Sequence, residues 1–216
     1  AVSSVAGEDE YAFKHILMRN VAYGQLPKGR RAQLHLRFSD WVTVERGRGD
    51  EFIEIVAWHL EQACGLSREV ARSPIEPPIQ RAADALAKAA SRAERRESLR
   101  EAHRYYTRAL DLLDDEHADL RVTLRVQRAD MSMQLGELKE ATDELLEVAE
   151  QAAELGRTEV EAEALLLLGD IDQRQGRPTD AHRRLLRAEE LAGSTDDARL
   201  RTRAAFVMNS FVVDYL

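Results

Sequence analysis

The sequence predicts an all-α chain in which helical hairpins stack in series. Three observations lead there. Of the 216 residues, 44% are hydrophobic and 32% charged, but only 6% are aromatic. Ala, Leu, Glu and Arg dominate, and their side chains lose little freedom in a helix. No window alternates between apolar and polar residues with period two, so no strand is expected. Small residues recur at a fixed spacing, with Gly136 and Gly176, and likewise Ala141 and Ala181, 40 residues apart.

The elements follow in chain order. Helices are expected over roughly 9–24, 28–46 and 50–63, the last two separated by Gly47 and Gly49. Pro74, Pro77 and Pro78 then break the chain, because proline lacks an amide hydrogen and pushes its predecessor toward extended backbone. Residues 1–73 therefore read as a helical junction, 74–78 as a break and 79–216 as repeats.

The repeats divide at about 79–116, 117–156 and 157–193, with a partial copy at 195–216. The third copy carries Gly169, Gly176, Ala181, Leu185 and Ala188. The second has Ala129, Gly136, Ala141, Leu145 and Val148 at the same offsets. The first has Ala90, Ala102, Tyr106 and Ala109, with Glu97 in place of the turn glycine. Small residues allow two helices to approach closely, and a glycine between them can end the first in the left-handed conformation. Gly156 and Gly193 are further stop signals. Thr158 with Glu161 offers a capping box, Pro178 suits a first helical turn, and Ser194 with Asp197 can begin the last helix.

This spacing resembles the tetratricopeptide repeat, a helical hairpin whose usual period is about 34 residues. The resemblance implies a right-handed superhelix whose first helices line the concave side. That lining would take Asp84, Ser91, Glu94 and Arg95 from the first copy. The second would give Val126, Asp130, Met133 and Gln134, and the third Leu166, Asp170, Gln173 and Arg174. Asp130, Met133, Gln134, Asp170, Gln173 and Arg174 are the expected partner-binding residues, and none of them is expected to serve the core. A polar lining with a few apolar points suits a peptide or protein, or the protein's own upstream domains. It lacks the aromatic platforms that bind single-stranded nucleic acid.

The opening stretch, Tyr11 to His35, carries a second resemblance. Phe13, Lys14, His15, Ala22, Tyr23, Leu26, Arg30, Arg31, Leu34 and His35, with Trp58 to Ala63 further on, are similar to the segment that joins core and repeats in STAND-type signalling ATPases. In bacterial members this unit is attached to an adenylate/guanylate cyclase or a transcriptional-regulator domain. The resemblance implies a sensor module that couples partner binding to an ATPase switch. It implies ATP or ADP and Mg in an upstream core, with His15 touching the nucleotide phosphate. The alternatives are a free-standing scaffold and an enzyme in its own right.

Other classes are disfavoured. The formal net charge of −8 argues against a dedicated nucleic-acid-binding domain. The chain has no Gly-x-x-x-x-Gly-Lys-Ser/Thr loop, so the fragment itself is expected neither to hold a cofactor nor to hydrolyse ATP. His15 and His35 lack helical spacing for a metal, and no acid, base and nucleophile converge. Cys64 is the one cysteine, which excludes an internal disulfide and fits a reducing cytoplasm. No apolar run approaches the roughly 20 residues needed to span a bilayer. The start, without Met or signal peptide, reads as cut from a longer protein. Trp41, Trp58, Phe38 and Phe52 are expected to pack the junction core. The basic runs Lys28, Arg30, Arg31, Arg37 and Arg92, Arg95, Arg96, Arg100 are read as solvated faces or carboxylate partners.

Overall fold

The computed structural model describes residues 13–45, 47 and 49–215. Among these residues there are ten α-helices and no strand. They are α1 (Ile16–Gln25), α2 (Lys28–Asp40), α3 (Ile53–Arg68), α4 (Ile79–Glu94) and α5 (Leu99–Leu112). Then come α6 (Ala118–Gln134), α7 (Leu138–Glu154), α8 (Thr158–Arg174), α9 (Pro178–Gly193) and α10 (Ala198–Tyr215). From α2 onward each helix packs on the next, and α8 also touches α6 and α10. The chain is an all-α stack of helical repeats, with α6, α8 and α10 sharing its inner side.

The repeat turns are built alike. Gly136, Gly156 and Gly176 take φ of 85°, 68° and 69°, and Glu97 takes 58°. The residue after each donates its amide five residues back, as in Ser98 to Ala93 (2.9 Å), Glu137 to Ser132 (2.9 Å) and Arg177 to Asp172 (2.9 Å). These bonds satisfy carbonyls that a helix end leaves unpaired. The first copy therefore makes the same left-handed turn without a glycine, and Glu97 bears the steric cost.

The small positions are where helices meet. Ala90 and Ala129 are fully buried, as are Ala102, Ala141 and Ala181. At Gly169, a Cβ would lie 2.5 Å from Leu185 Cδ2 and 2.8 Å from its Cγ, so any other residue there must displace the buried Leu185 side chain. Buried residues fall into three clusters along the stack, around Leu60, Leu86 and Tyr106, around Val122, Leu145 and Leu168, and around Leu166, Leu185 and Phe211. Each hairpin completes its core with its neighbour, as in linear arrays generally.

The junction departs from the sequence reading. Residues 9–12 of the expected first helix lie outside the described residues, and α1 starts only at Ile16. The helix expected over 28–46 keeps α geometry to Asp40 and then widens into a π turn, Trp41–Glu45. Successive β-branched residues, Val42, Thr43 and Val44, crowd a tighter turn, and Thr43 Oγ1 bonds the Ser39 carbonyl at 2.7 Å. Conversely, α3 runs to Arg68 through Gly65, because Cys64 and Ser67 beyond the expected end are buried against the core.

Two cap signals resolve differently. Arg157, not Thr158, precedes α8, and no side chain caps that end, so the capping box is not formed. Asp197 caps α10, accepting from Arg199 N at 2.9 Å and Leu200 N at 3.0 Å, whereas Ser194 Oγ turns back to the Leu191 carbonyl. Pro178 occupies the first turn of α9 as expected. Phe52 and Trp41 pack against the first core cluster, but Trp58 and Phe38 are 46% and 36% exposed, so they edge the junction and do not fill it.

Candidate functional site

The inner side of α6, α8 and α10 forms a groove of about 270 Å³. Met133 from α6 and Leu166 and Leu167 from α8 make an apolar floor. Asp170 and Gln173 stand on one rim, and Arg203, Phe206, Val207 and Ser210 of α10 form the other. Asp170 and Gln173 lie three residues apart on one face of α8, and the four α10 residues share one stripe by the same helical spacing.

The expected binding residues separate into four groups. Met133, Asp170 and Gln173 line the groove together. Arg174 is exposed and pairs along its own helix, Nη2 donating to Asp170 Oδ2 at 2.8 Å. Gln134 is exposed beside the groove, at the end of α6. Asp130 is half-buried further along α6, where its charge reaches both Tyr106 and Glu163.

Met133 requires a correction. It is only 5% exposed and belongs to the core cluster of α6, α7 and α8, so it serves the fold as well as the groove. Val126 and Leu166, at 2% each, are core residues too. A first helix packed between two neighbours buries a wide stripe, and little is left purely for ligand.

Phe206 is the feature the sequence reading missed. It is 71% exposed on the groove rim, a large apolar side chain with most of its surface in water. The i, i+3, i+4, i+7 spacing of Arg203, Phe206, Val207 and Ser210 is visible in the sequence, but only packing of α10 on α8 and α9 tells which stripe is inside. Near this rim the Glu163 carboxyl is raised above its usual range, by burial first and against the opposing attraction of Arg203.

A larger groove, about 620 Å³, lies between α4 and α6. Of the expected first-copy residues, Ser91 and Arg95 line it and Asp84 does not, while Glu94 accepts a 2.5 Å hydrogen bond from the Tyr106 hydroxyl. Burial, then that bond, raises the Tyr106 hydroxyl pKa.

The junction motif residues meet in one cluster. Tyr23 Oη lies 2.8 Å from His35 Nε2, and His35 Nδ1 lies 2.9 Å from His59 Nδ1. Arg31 sits over the Tyr23 ring at 4.9 Å, Trp58 meets His35 edge-on, and Phe38 stacks on His59. Burial, reinforced by Arg31, lowers the His35 pKa, and burial with the charge of His35 lowers His59 to about 4. His59 lies within the Trp58–Ala63 stretch, but its pairing with His35, 24 residues away, is not legible in the sequence. His15 stands apart from this cluster, exposed at the start of α1, and its side chain does not cap that helix. Cys64 is fully buried, and burial pushes its thiol up to about 11, far from a reactive thiolate. Among the described residues no group of His, Cys, Asp and Glu is placed to hold a metal, and no helix is long and apolar enough to cross a membrane.

No family model matches the chain. No curated protein matches it either. Solved structures do. The apo form of RapI is similar with TM-score 0.61 and 16% identity over 92% of this chain. The chain spans about half of RapI, covering 52% of it. BtubC (BKLC) from P. vanneervenii gives TM-score 0.58 at 14% identity, covering 93% of this chain and 84% of that one. A Podosopora anserina putative kinesin light chain with nearly identical TPR-like repeats gives 0.50 at 16%, covering 88% of each. At these identities the likeness concerns the fold, that of tetratricopeptide-like repeats.

Proposed function

We propose that this chain is a protein-interaction module whose inner groove takes a peptide or a neighbouring domain. The observation that carries this reading is Phe206, an exposed aromatic that lines one groove with Met133 and Leu166 among the polar Asp170, Gln173, Arg203 and Ser210. An apolar anchor among orienting polar groups is the usual build of a recognition site. A photo-crosslinking residue at Gln173 should give adducts in the producing cells, and one at Leu146, exposed on α7, should not. Equal labelling from both positions would remove the inner face from the function.

The wider setting we propose is a multidomain signalling ATPase with a cyclase or transcriptional output. Its support is the junction resemblance and the clustering of Tyr23, His35, Trp58 and His59. ATP or ADP and Mg would lie in a core upstream of these residues, and His15, exposed at the start of α1, would supply the phosphate contact from this chain. A phosphate loop encoded upstream of Ala1, and weaker nucleotide retention in His15→Ala full-length protein, are the expected results. A free-standing tetratricopeptide scaffold would use the same inner face, and an upstream sequence without an ATPase core would favour it.

A further inference from the structure

Lys88 and Arg92 of α4 and Arg95 at its C-cap follow i, i+4 and i+7 spacing and line the larger groove between α4 and α6. The floor of that groove is apolar, built by Ile53, Leu120 and Leu124. Arg92 is already engaged, since its Nη1 donates to the backbone carbonyls of Asp50 at 3.1 Å and Glu51 at 2.8 Å. Lys88 and Arg95 are exposed, and neither has an ion-pair partner among the described residues. Asp50 is the one carboxylate in the lining.

With Lys88, Arg92 and Arg95 against Asp50, the lining carries an excess of positive charge in a chain whose formal net charge is −8. Such a site draws an anion and selects its position. Seven residues of helix separate Lys88 from Arg95 by about 10 Å along the axis. In an extended peptide, side chains at alternate positions share a face, and residues four apart are about 13 Å from each other. Long, flexible Lys and Arg side chains span that difference. Between the two carboxylates, the residue at the middle alternate position would fall on Ile53, Leu120 and Leu124.

We infer that this groove binds an extended acidic peptide segment in which two carboxylates flank an apolar residue at alternate positions. The inference rests on the inner face being the binding surface, but it uses residues distinct from those around Phe206. Single-stranded nucleic acid fits less well. The only aromatic ring in the lining, Tyr106, is 2% exposed and offers no face for a base.

The test is fluorescence anisotropy of a labelled Gly-Asp-Ser-Leu-Ser-Asp-Gly peptide titrated with the purified chain at low and physiological salt. Saturable, salt-weakened binding is expected, reduced about tenfold or more when Lys88→Glu and Arg95→Glu are combined. Lys88→Gln with Arg95→Gln should give a smaller loss in the same direction, and helicity by circular dichroism should be unchanged in both. Replacing the central Leu of the peptide by Ser should also weaken binding. No binding to the unmodified chain, or binding unmoved by the double variant, would overturn the inference. So would tighter binding of a single-stranded oligonucleotide through the same two residues. If the peptide fails while Gln173 still crosslinks, only this inference falls. If both fail, the interaction-module reading falls with it.

Discussion

Arg184 Nη1 on α9 donates to Asp172 Oδ2 on α8 at 2.6 Å, and the Asp172 side chain is only 1% exposed. Its other oxygen accepts from Arg177 Nη2 in the turn, also at 2.6 Å. One buried carboxylate thus ties the end of α8 to both the turn and the next helix. Asp172→Ala strands Arg184, itself 20% exposed, and should cost about 3 kcal/mol in urea unfolding. Arg177→Ala, at a 45% exposed side chain, should cost much less. Equal effects would mean that burial of the pair does not matter.

Glu97 sits at φ 58°, where the other repeat turns use glycine. Glu97→Gly should raise stability by about 0.5–1 kcal/mol, because relief of left-handed strain exceeds the extra freedom of the unfolded chain. Gly176→Val reverses the logic at φ 69° and should lower it by roughly 1–3 kcal/mol. Melting temperatures moving in opposite directions are the expected readout.

Gly169 faces Leu185 with no space for a Cβ. Gly169→Val should displace the buried Leu185 side chain from its place between α8 and α9 and cost on the order of 1–3 kcal/mol. A stable Gly169→Val protein would show that the Leu185 side chain can move aside without cost.

Met133 and Phe206 line one groove with opposite burdens, 5% and 71% exposed. Met133→Ala should destabilise by about 2–4 kcal/mol. Phe206→Ala should leave stability within about 0.5 kcal/mol. Loss of crosslinking from Gln173 in the Phe206 variant then reports on binding alone, which the Met133 variant cannot do.

The histidine pair gives a pH signature. His59, near 4 in the folded chain, has an ordinary value of 6.5, and His35 is lowered as well. The unfolded chain therefore takes up protons first as pH falls, so stability present at neutral pH declines from about 6.5 toward 4. Discounted for partial exposure, the loss should be on the order of 1–2 kcal/mol. His59→Phe should flatten that part of the stability profile, and an unchanged slope would sink the assignment.

Much of the fold follows from local chemistry. The turn glycines and the first-turn proline of α9 act within a few residues of themselves, and the buried alanines meet across the two helices of one hairpin, so their spacing carries the repeat. The left-handed turn at Glu97 was hidden, because nothing in a glutamate announces positive φ. Its identity as a turn came only from its offset in the repeat.

The sequence by itself determined the helices and their pairing, because these depend on propensity and on contacts between neighbours in the chain. The tertiary structure decided what faces what. It put Met133 in the core, raised Phe206 onto a rim, joined His35 to His59 and left Lys88 and Arg95 unpaired while Arg92 found carbonyls 41 and 42 residues away. Those outcomes depend on the rotation and separation of helices distant in sequence. The same helical stripe can be core or groove according to how closely the next helix approaches.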